Sequence, residues 1–169
     1  MEIERKFLFD WNKIPKEGIN KSVVYNQGYV SVNPEFRIRS KYTITKTEDD
    51  VIVSNTTYKL CSKSEGGLTR EEIEFDITYE QFISFMKIGK FAECDMIHKH
   101  YIEIPIGKHI LTVGIVDEGQ ESQFCYGEIE FDSEEEANNF EPLEWFGKDV
   151  TNDSYYKMKN YWKRTRLNK

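Results

Sequence analysis

The 169-residue chain has no long apolar run: nothing in it approaches the roughly 18 apolar residues that a membrane-crossing helix needs. Charge begins at once, in Met1-Glu2-Ile3-Glu4-Arg5-Lys6, where a secretory leader would be apolar. Both absences argue against a membrane partner and for a cytoplasmic location. Cysteine is scarce. Cys61, Cys94 and Cys125 lie far apart, form no C-x-x-C pair and leave an odd count, so a reducing compartment and no thiolate metal site are expected. Histidine is equally sparse. His98 and His100 would share one face of a strand, but no third ligand of the usual type accompanies them. Positive charge is in deficit. The net charge of −7 argues against nucleic acid as a partner. It leaves room for a small anion, which responds to the local field of its site. The basic stretch 157–169 reads as a solvated helix end. No repeat, low-complexity tract or linker interrupts the chain, and residues 1–169 read as one domain.

What the sequence has in quantity is period-two alternation, the mark of strands. It runs through 2–9, 23–32, 35–45, 51–62, 69–76, 97–104, 109–116 and 124–132. Four segments break it and read as helices. The first is short, around 11–14. Thr78 with Gln81 and Ser133 with Glu136 have capping-box spacing, opening helices over 78–88 and 133–140. Asp153 is a candidate cap for a helix over 153–167. The fold class is therefore α+β, dominated by one antiparallel sheet that could be closed.

The strands carry an unusual content. Side chains two apart share a face, which groups Glu2, Glu4 and Lys6 opposite Ile3, Arg5 and Phe7. Arg37 and Arg39 stand opposite Phe36 and Ile38; Arg70, Glu72 and Glu74 opposite Ile73 and Phe75; Glu128 and Glu130 opposite Ile129 and Phe131. Two readings fit. The charged faces could be the wet side of a one-sided sheet, or the sheet could close with them inward. Two features favour closure. The charges are segregated by type, and Thr, Ser and Gln are few on these faces. A closed lumen of this kind suits a triphosphate. Arginine forks onto phosphate oxygens and lysine acts as a point charge. Carboxylates repel phosphate but can hold Mg²⁺ or Mn²⁺, which prefer oxygen ligands and bridge to phosphates.

These residues resemble the CYTH family, the triphosphate tunnel metalloenzymes. The family's N-terminal E-x-E-x-K is matched by Glu2, Glu4 and Lys6, and its R-x-R strand by Arg37 and Arg39. Its strand-end lysine, turn and arginine are matched by Lys63-Ser64-Glu65-Gly66-Gly67-Leu68-Thr69-Arg70, with Glu72 and Glu74 following. Its late E-x-E is matched by Glu128 and Glu130. Its C-terminal segment is matched by Trp145-Phe146-Gly147-Lys148-Asp149-Val150-Thr151 and then Tyr156-Lys157. The resemblance implies an eight-stranded antiparallel tunnel barrel with flanking helices and a C-terminal helix. It also implies Mg²⁺- or Mn²⁺-dependent hydrolysis or cyclisation of a small-molecule triphosphate, by a monomer or homodimer. It assigns phosphate binding to Lys6, Arg37, Arg39, Lys63, Arg70, Lys99 and Lys157, and metal binding to Glu2, Glu4, Glu128 and Glu130. Glu4, Lys63 and Glu130 are the catalytic candidates, and Glu72 and Glu74 supply supporting charge. Lys157 would sit on the last helix near one tunnel mouth.

One region departs from the family pattern of K-x-R followed by an acidic pair. Lys99 fits the lysine, but Tyr101 stands at the arginine, and Thr112 and Gly114 at the acids. Asp117 and Glu118 come too late unless the register slips, and a one-residue slip would turn side chains outward. Three functions follow in order of preference: a triphosphatase, a triphosphate- or nucleotide-binding protein with a partly lost metal site, and an adenylyl cyclase making cyclic AMP.

Overall fold

The computed structural model describes residues 1–168; Lys169, the end of the basic stretch, lies outside them. Ten strands are present: β1 (Glu2–Leu8), β2 (Lys21–Val32), β3 (Glu35–Lys46), β4 (Val51–Val53), β5 (Thr57–Lys63), β6 (Thr69–Arg70), β7 (Glu72–Ile77), β8 (Ile97–Ile106), β9 (His109–Val116) and β10 (Phe124–Glu130). They form one antiparallel sheet in the order β6-β1-β10-β9-β8-β2-β3-β5-β7, with β4 a spur on β3. One residue, Glu71, separates β6 from β7. Because β6 pairs with β1 and β7 with β5, the run 69–77 joins the two ends of the sheet and nearly closes it. With β6 and β7 taken as one interrupted strand, eight strands make the wall, as the resemblance implied.

The edge of β1 beyond β6 is covered by the segment after Trp145. Leu8 donates to the Lys148 carbonyl, Gly147 to Leu8 and Val150 to Lys6. Arg5 clasps Asp149 at 2.6 Å, and Thr151 Oγ1 accepts from the Lys6 amide. The C-terminal motif thus completes the barrel wall where strand pairing stops.

Helix α1 (Tyr79–Gly89) begins at the capping box read from the sequence, with Thr78 and Gln81 each satisfying the other's backbone N–H. Helix α2 (Glu134–Asn139) is capped by Ser133, which accepts from the Glu136 amide. The segment 11–14 forms a 3₁₀ turn, Trp11–Lys13. Two expectations are corrected. The run 51–62 is broken into β4 and β5, because Val51–Val53 pairs only with the far end of β3. The final helix is not continuous. Asp153 caps a 3₁₀ turn (Ser154–Tyr156), then come α3 (Met158–Trp162) and a π-turn (Lys163–Leu167).

The apolar core lies outside the barrel wall. Phe7, Leu111, Val113 and Ile129 are fully buried between the outer sheet face and a cover of α2, Phe140, Trp145 and Phe146. Across the barrel, Phe82 and Met86 of α1 pack on Ile38. Gly28 is the contact point for the chain leaving α1: a Cβ there would lie 2.3 Å from the Phe91 ring. At one barrel end, Met158, Tyr161 and Trp162 of α3 pack against Tyr29, Ile97, Val116 and Tyr126 and fill it with apolar side chains.

The basic stretch is not merely solvated. Lys159 pairs with Glu65 while itself buried. Arg166 donates to Asp117 at 2.6 Å, and Tyr161 donates to the same carboxylate at 2.6 Å. Asp117 also accepts from the His98 amide and is 1% exposed, so it anchors the chain terminus.

Candidate active site

Closure turns the charged faces inward around a cavity of about 890 Å³. All the residues singled out in the sequence reach it. β1 supplies Glu2, Glu4 and Lys6; β3 supplies Arg37 and Arg39; β5 ends in Lys63; β6 and β7 add Arg70, Glu72 and Glu74; β8 adds Lys99; β10 adds Glu128 and Glu130. Lys157 reaches it too, but from just before α3, not from a helix, and its ammonium donates to the Gly66 carbonyl. The alternation explains this convergence: with the apolar side chains of each strand packed outside, every second residue points into the lumen.

The lumen is a lattice of ion pairs. Lys63 donates to both oxygens of Glu2, at 2.7 and 2.9 Å, and lies 3.3 Å from Glu72. Lys6 meets Glu128 at 2.8 Å, Arg37 meets Glu72 at 3.3 Å, and Arg39 meets Glu74 at 2.6 Å. Arg70 grips Glu4 and lies 3.5 Å from Glu2. Glu130 has no ion-pair partner among the described residues, although Glu4 stands directly across from it.

Burial and charge set the protonation states. Burial, reinforced by Glu4 and opposed by Lys63, lifts the Glu2 carboxyl to about 7. Burial also raises Glu130, with Glu4 and Glu128 adding repulsion. For Glu128 burial acts upward too, but Lys6, Lys99 and Lys63 overcome it and hold the carboxyl at about 2. Lys99 is pushed well below the ordinary lysine value by burial and by Arg37, Lys6 and Arg39, against the pull of Glu128. Its amino group has the Gln27 amide oxygen as its partner, at 3.0 Å, and no carboxylate within ion-pair range among the described residues. The Nε groups of Arg37 and Arg39 are buried without an acceptor among the described residues.

The departure from the family pattern has a structural form. β8 and β9 pair without slippage, Tyr101 against Gly114 and Glu103 against Thr112. Asp117 and Glu118 therefore do not substitute for the missing acids. Tyr101 leans over Gly114 and its hydroxyl meets that of Tyr126 at 2.5 Å. A Cβ at Gly114 would lie 2.0 Å from the His100 carbonyl and 2.2 Å from the Tyr101 ring.

Several lumen residues were missed in the sequence. Tyr25, Gln27 and Tyr29 line the cavity from β2, and Glu35 from β3. For Tyr25, Gln27 and Tyr29 the alternation was visible, but uncharged side chains gave no sign of facing a ligand; Glu35 could have been found by extending the Arg37-x-Arg39 face two residues back. Among the described residues the His/Cys/Asp/Glu cluster with converging ligand atoms is Cys61, Glu72 and Glu74, within 4.8 Å. It suits Mg²⁺ or Mn²⁺ poorly, because these ions prefer oxygen donors and burial raises the Cys61 thiol, which keeps it protonated. The carboxylates of Glu2, Glu4 and Glu128 are an all-oxygen donor set, each now turned to a cation.

No protein-family model matches the sequence. The chain is 33% identical over 161 residues to the inorganic triphosphatase of Nitrosomonas europaea, covering 94% of each protein. Among solved structures, the inorganic triphosphatase NE1496 superposes with a TM-score of 0.58 at 27% identity, over 94% of this chain and 95% of that one. The PH1819 protein of Pyrococcus horikoshii shares the fold at 17% identity and a TM-score of 0.53, over 82% of each chain. With the E-x-E-x-K, R-x-R and late E-x-E strands converging on one lumen, the chain belongs to the CYTH family of triphosphate tunnel metalloenzymes.

Proposed function

We propose that this protein hydrolyses a triphosphate, inorganic triphosphate first among them, in a Mg²⁺- or Mn²⁺-dependent reaction inside the barrel. One observation carries the reading: among the described residues the lumen holds buried arginine donors without acceptors, the Nε groups of Arg37 and Arg39, beside a Lys99 amino group that meets the Gln27 amide oxygen and no carboxylate. Buried donors left unpaired are costly, and an anion rich in oxygens satisfies them all. The relative named as an inorganic triphosphatase points to the same substrate.

In this reading Lys6, Arg37, Arg39, Lys63, Arg70 and Lys99 bind the phosphates, and Lys157 guards the loop beside them. Glu2, Glu4, Glu128 and Glu130 fit a hard divalent ion as oxygen ligands. Held there, a divalent ion would supply charge neutralisation for the phosphates. Glu4 and Glu130, on adjacent strands, orient the attacking water and accept its proton. Lys63 and the arginines stabilise the charge that develops on the transferring phosphoryl group. Positioning and electrostatics do most of the work in phosphoryl transfer.

The test is to incubate the protein with tripolyphosphate, ATP and thiamine triphosphate, in Mg²⁺ and then in Mn²⁺, and to measure phosphate, pyrophosphate and cyclic AMP. Phosphate without cyclic AMP is expected. Cyclic AMP with pyrophosphate, or binding without any product, would overturn the reading.

A further inference from the structure

Arg70 occupies a peculiar place in the lattice. It lies on β6, paired with β1 so that it stands opposite Glu2. Its guanidinium grips Glu4, lies 3.5 Å from Glu2 and feels the charge of Glu128. These are three of the four carboxylates assigned to the metal, and Arg70 and Glu4 are both largely shielded from solvent, at 14% and 8% side-chain exposure. Like-charged residues directly opposite on neighbouring strands destabilise a sheet, and Glu4 faces Glu130 in this way. In the free protein the cation held against Glu4 is the arginine.

We propose that Arg70 is a built-in stand-in for the divalent ion, and so a positioning residue for the reaction. In the free protein it draws Glu4 and Glu2 together and withholds them from free metal. When metal and triphosphate arrive together, the guanidinium turns to the phosphate oxygens, for which its forked donors are well shaped, and releases both carboxylates to the ion. The exchange conserves charge pairing throughout: carboxylate–arginine becomes carboxylate–metal and arginine–phosphate. Neither Glu4 nor Arg70 is left without an opposite charge on either side of the exchange, which is what a low-dielectric lumen demands. The proposal rests on the assignment of the metal to the β1–β10 carboxylates. It adds that free metal and the protein's own arginine compete for them.

The consequence is opposite in sign to that of an ordinary binding residue. Removing Arg70 should improve metal binding to the free protein while weakening triphosphate binding. The experiment measures Mn²⁺ binding by electron paramagnetic resonance, with and without tripolyphosphate, for the wild type, Arg70→Gln and Arg70→Lys. Arg70→Gln should bind free Mn²⁺ about tenfold tighter than the wild type, one charged contact being worth about that much. Tripolyphosphate binding with Mn²⁺ present should weaken by a similar factor. Arg70→Lys, which keeps the charge and the fold but not the fork, should fall between. It serves as the comparison if circular dichroism shows Arg70→Gln unfolded. A folded variant whose free-Mn²⁺ affinity is unchanged or weaker overturns the stand-in while leaving the metal assignment intact. No Mn²⁺ binding to the wild type even with tripolyphosphate overturns the assignment and the stand-in together.

Discussion

Glu4 and Glu130 stand directly opposite one another on β1 and β10, two carboxylates on one rung of the lumen wall. Glu4 is held by Arg70, and Glu130 has no cation of its own among the described residues. Such a pair persists in a fold when something outside the protein completes it. Removing Glu4 should therefore damage turnover far more than folding. Glu4→Ala, assayed with tripolyphosphate under saturating Mn²⁺, is expected to lose about 10²–10³-fold in kcat, the range for deleting one preorganised electrostatic group. Activity within a factor of three of the wild type would sink the role given to Glu4.

Lys99 gives a pH dependence with two signs. Its folded value is depressed well below the ordinary one, so between the two values the unfolded chain holds a proton that the folded chain does not. Stability of the free protein should rise with pH through that window. Triphosphate binding should move the other way. The anion recharges Lys99, so binding takes up a proton and weakens as pH climbs. Calorimetric titration in two buffers of different ionisation heat measures the uptake directly, and Lys99→Met should abolish it. Equal proton uptake by Lys99→Met would refute the assignment.

The anchor at Asp117 is structural. Its carboxylate, buried beneath Tyr161 and Arg166, ties the end of the chain to the start of β8. Arg166→Ala leaves that charge buried and unpaired, at a cost of about 3–5 kcal/mol. Thermal unfolding should show a fall in Tm of many degrees. A shift of a degree or two would mean that the pair is hydrated in solution.

Gly114 should resist even the smallest side chain. A Cβ would meet the His100 carbonyl at 2.0 Å, a backbone atom that cannot step aside. Gly114→Ala is expected to destabilise by about 1–3 kcal/mol, the usual cost of overpacking, and to separate the Tyr101 and Tyr126 hydroxyls. Urea denaturation checks the first and near-ultraviolet circular dichroism the second.

The lumen was legible in the sequence because its charges alternate with apolar residues. Glu2-x-Glu4-x-Lys6 and Arg37-x-Arg39 can point inward only if Ile3 and Ile38 point out. The break at Glu71 was not legible, because it arises where one run of chain changes neighbour from β1 to β5, a tertiary event with no local signature. The same holds for the segmented C-terminus. Asp153, Lys157 and Arg166 each bind something distant in sequence or at a turn, and those bonds outweigh helical propensity over 153–167. Tyr25, Gln27 and Tyr29 passed unnoticed for a different reason: a lumen side chain without charge is written in the same letters as a surface one.

The separation of core from cavity has a consequence for the history of such a barrel. What holds the strands together is Phe7, Ile38, Leu111 and Ile129 under their covers, and none of these faces the ligand. Lining and scaffold can therefore drift independently. At Tyr101 and Gly114 the wall carries a ring resting on a missing side chain, while the strands keep their register. A tunnel built this way behaves like a socket whose contacts can be replaced one wall at a time without recasting the housing.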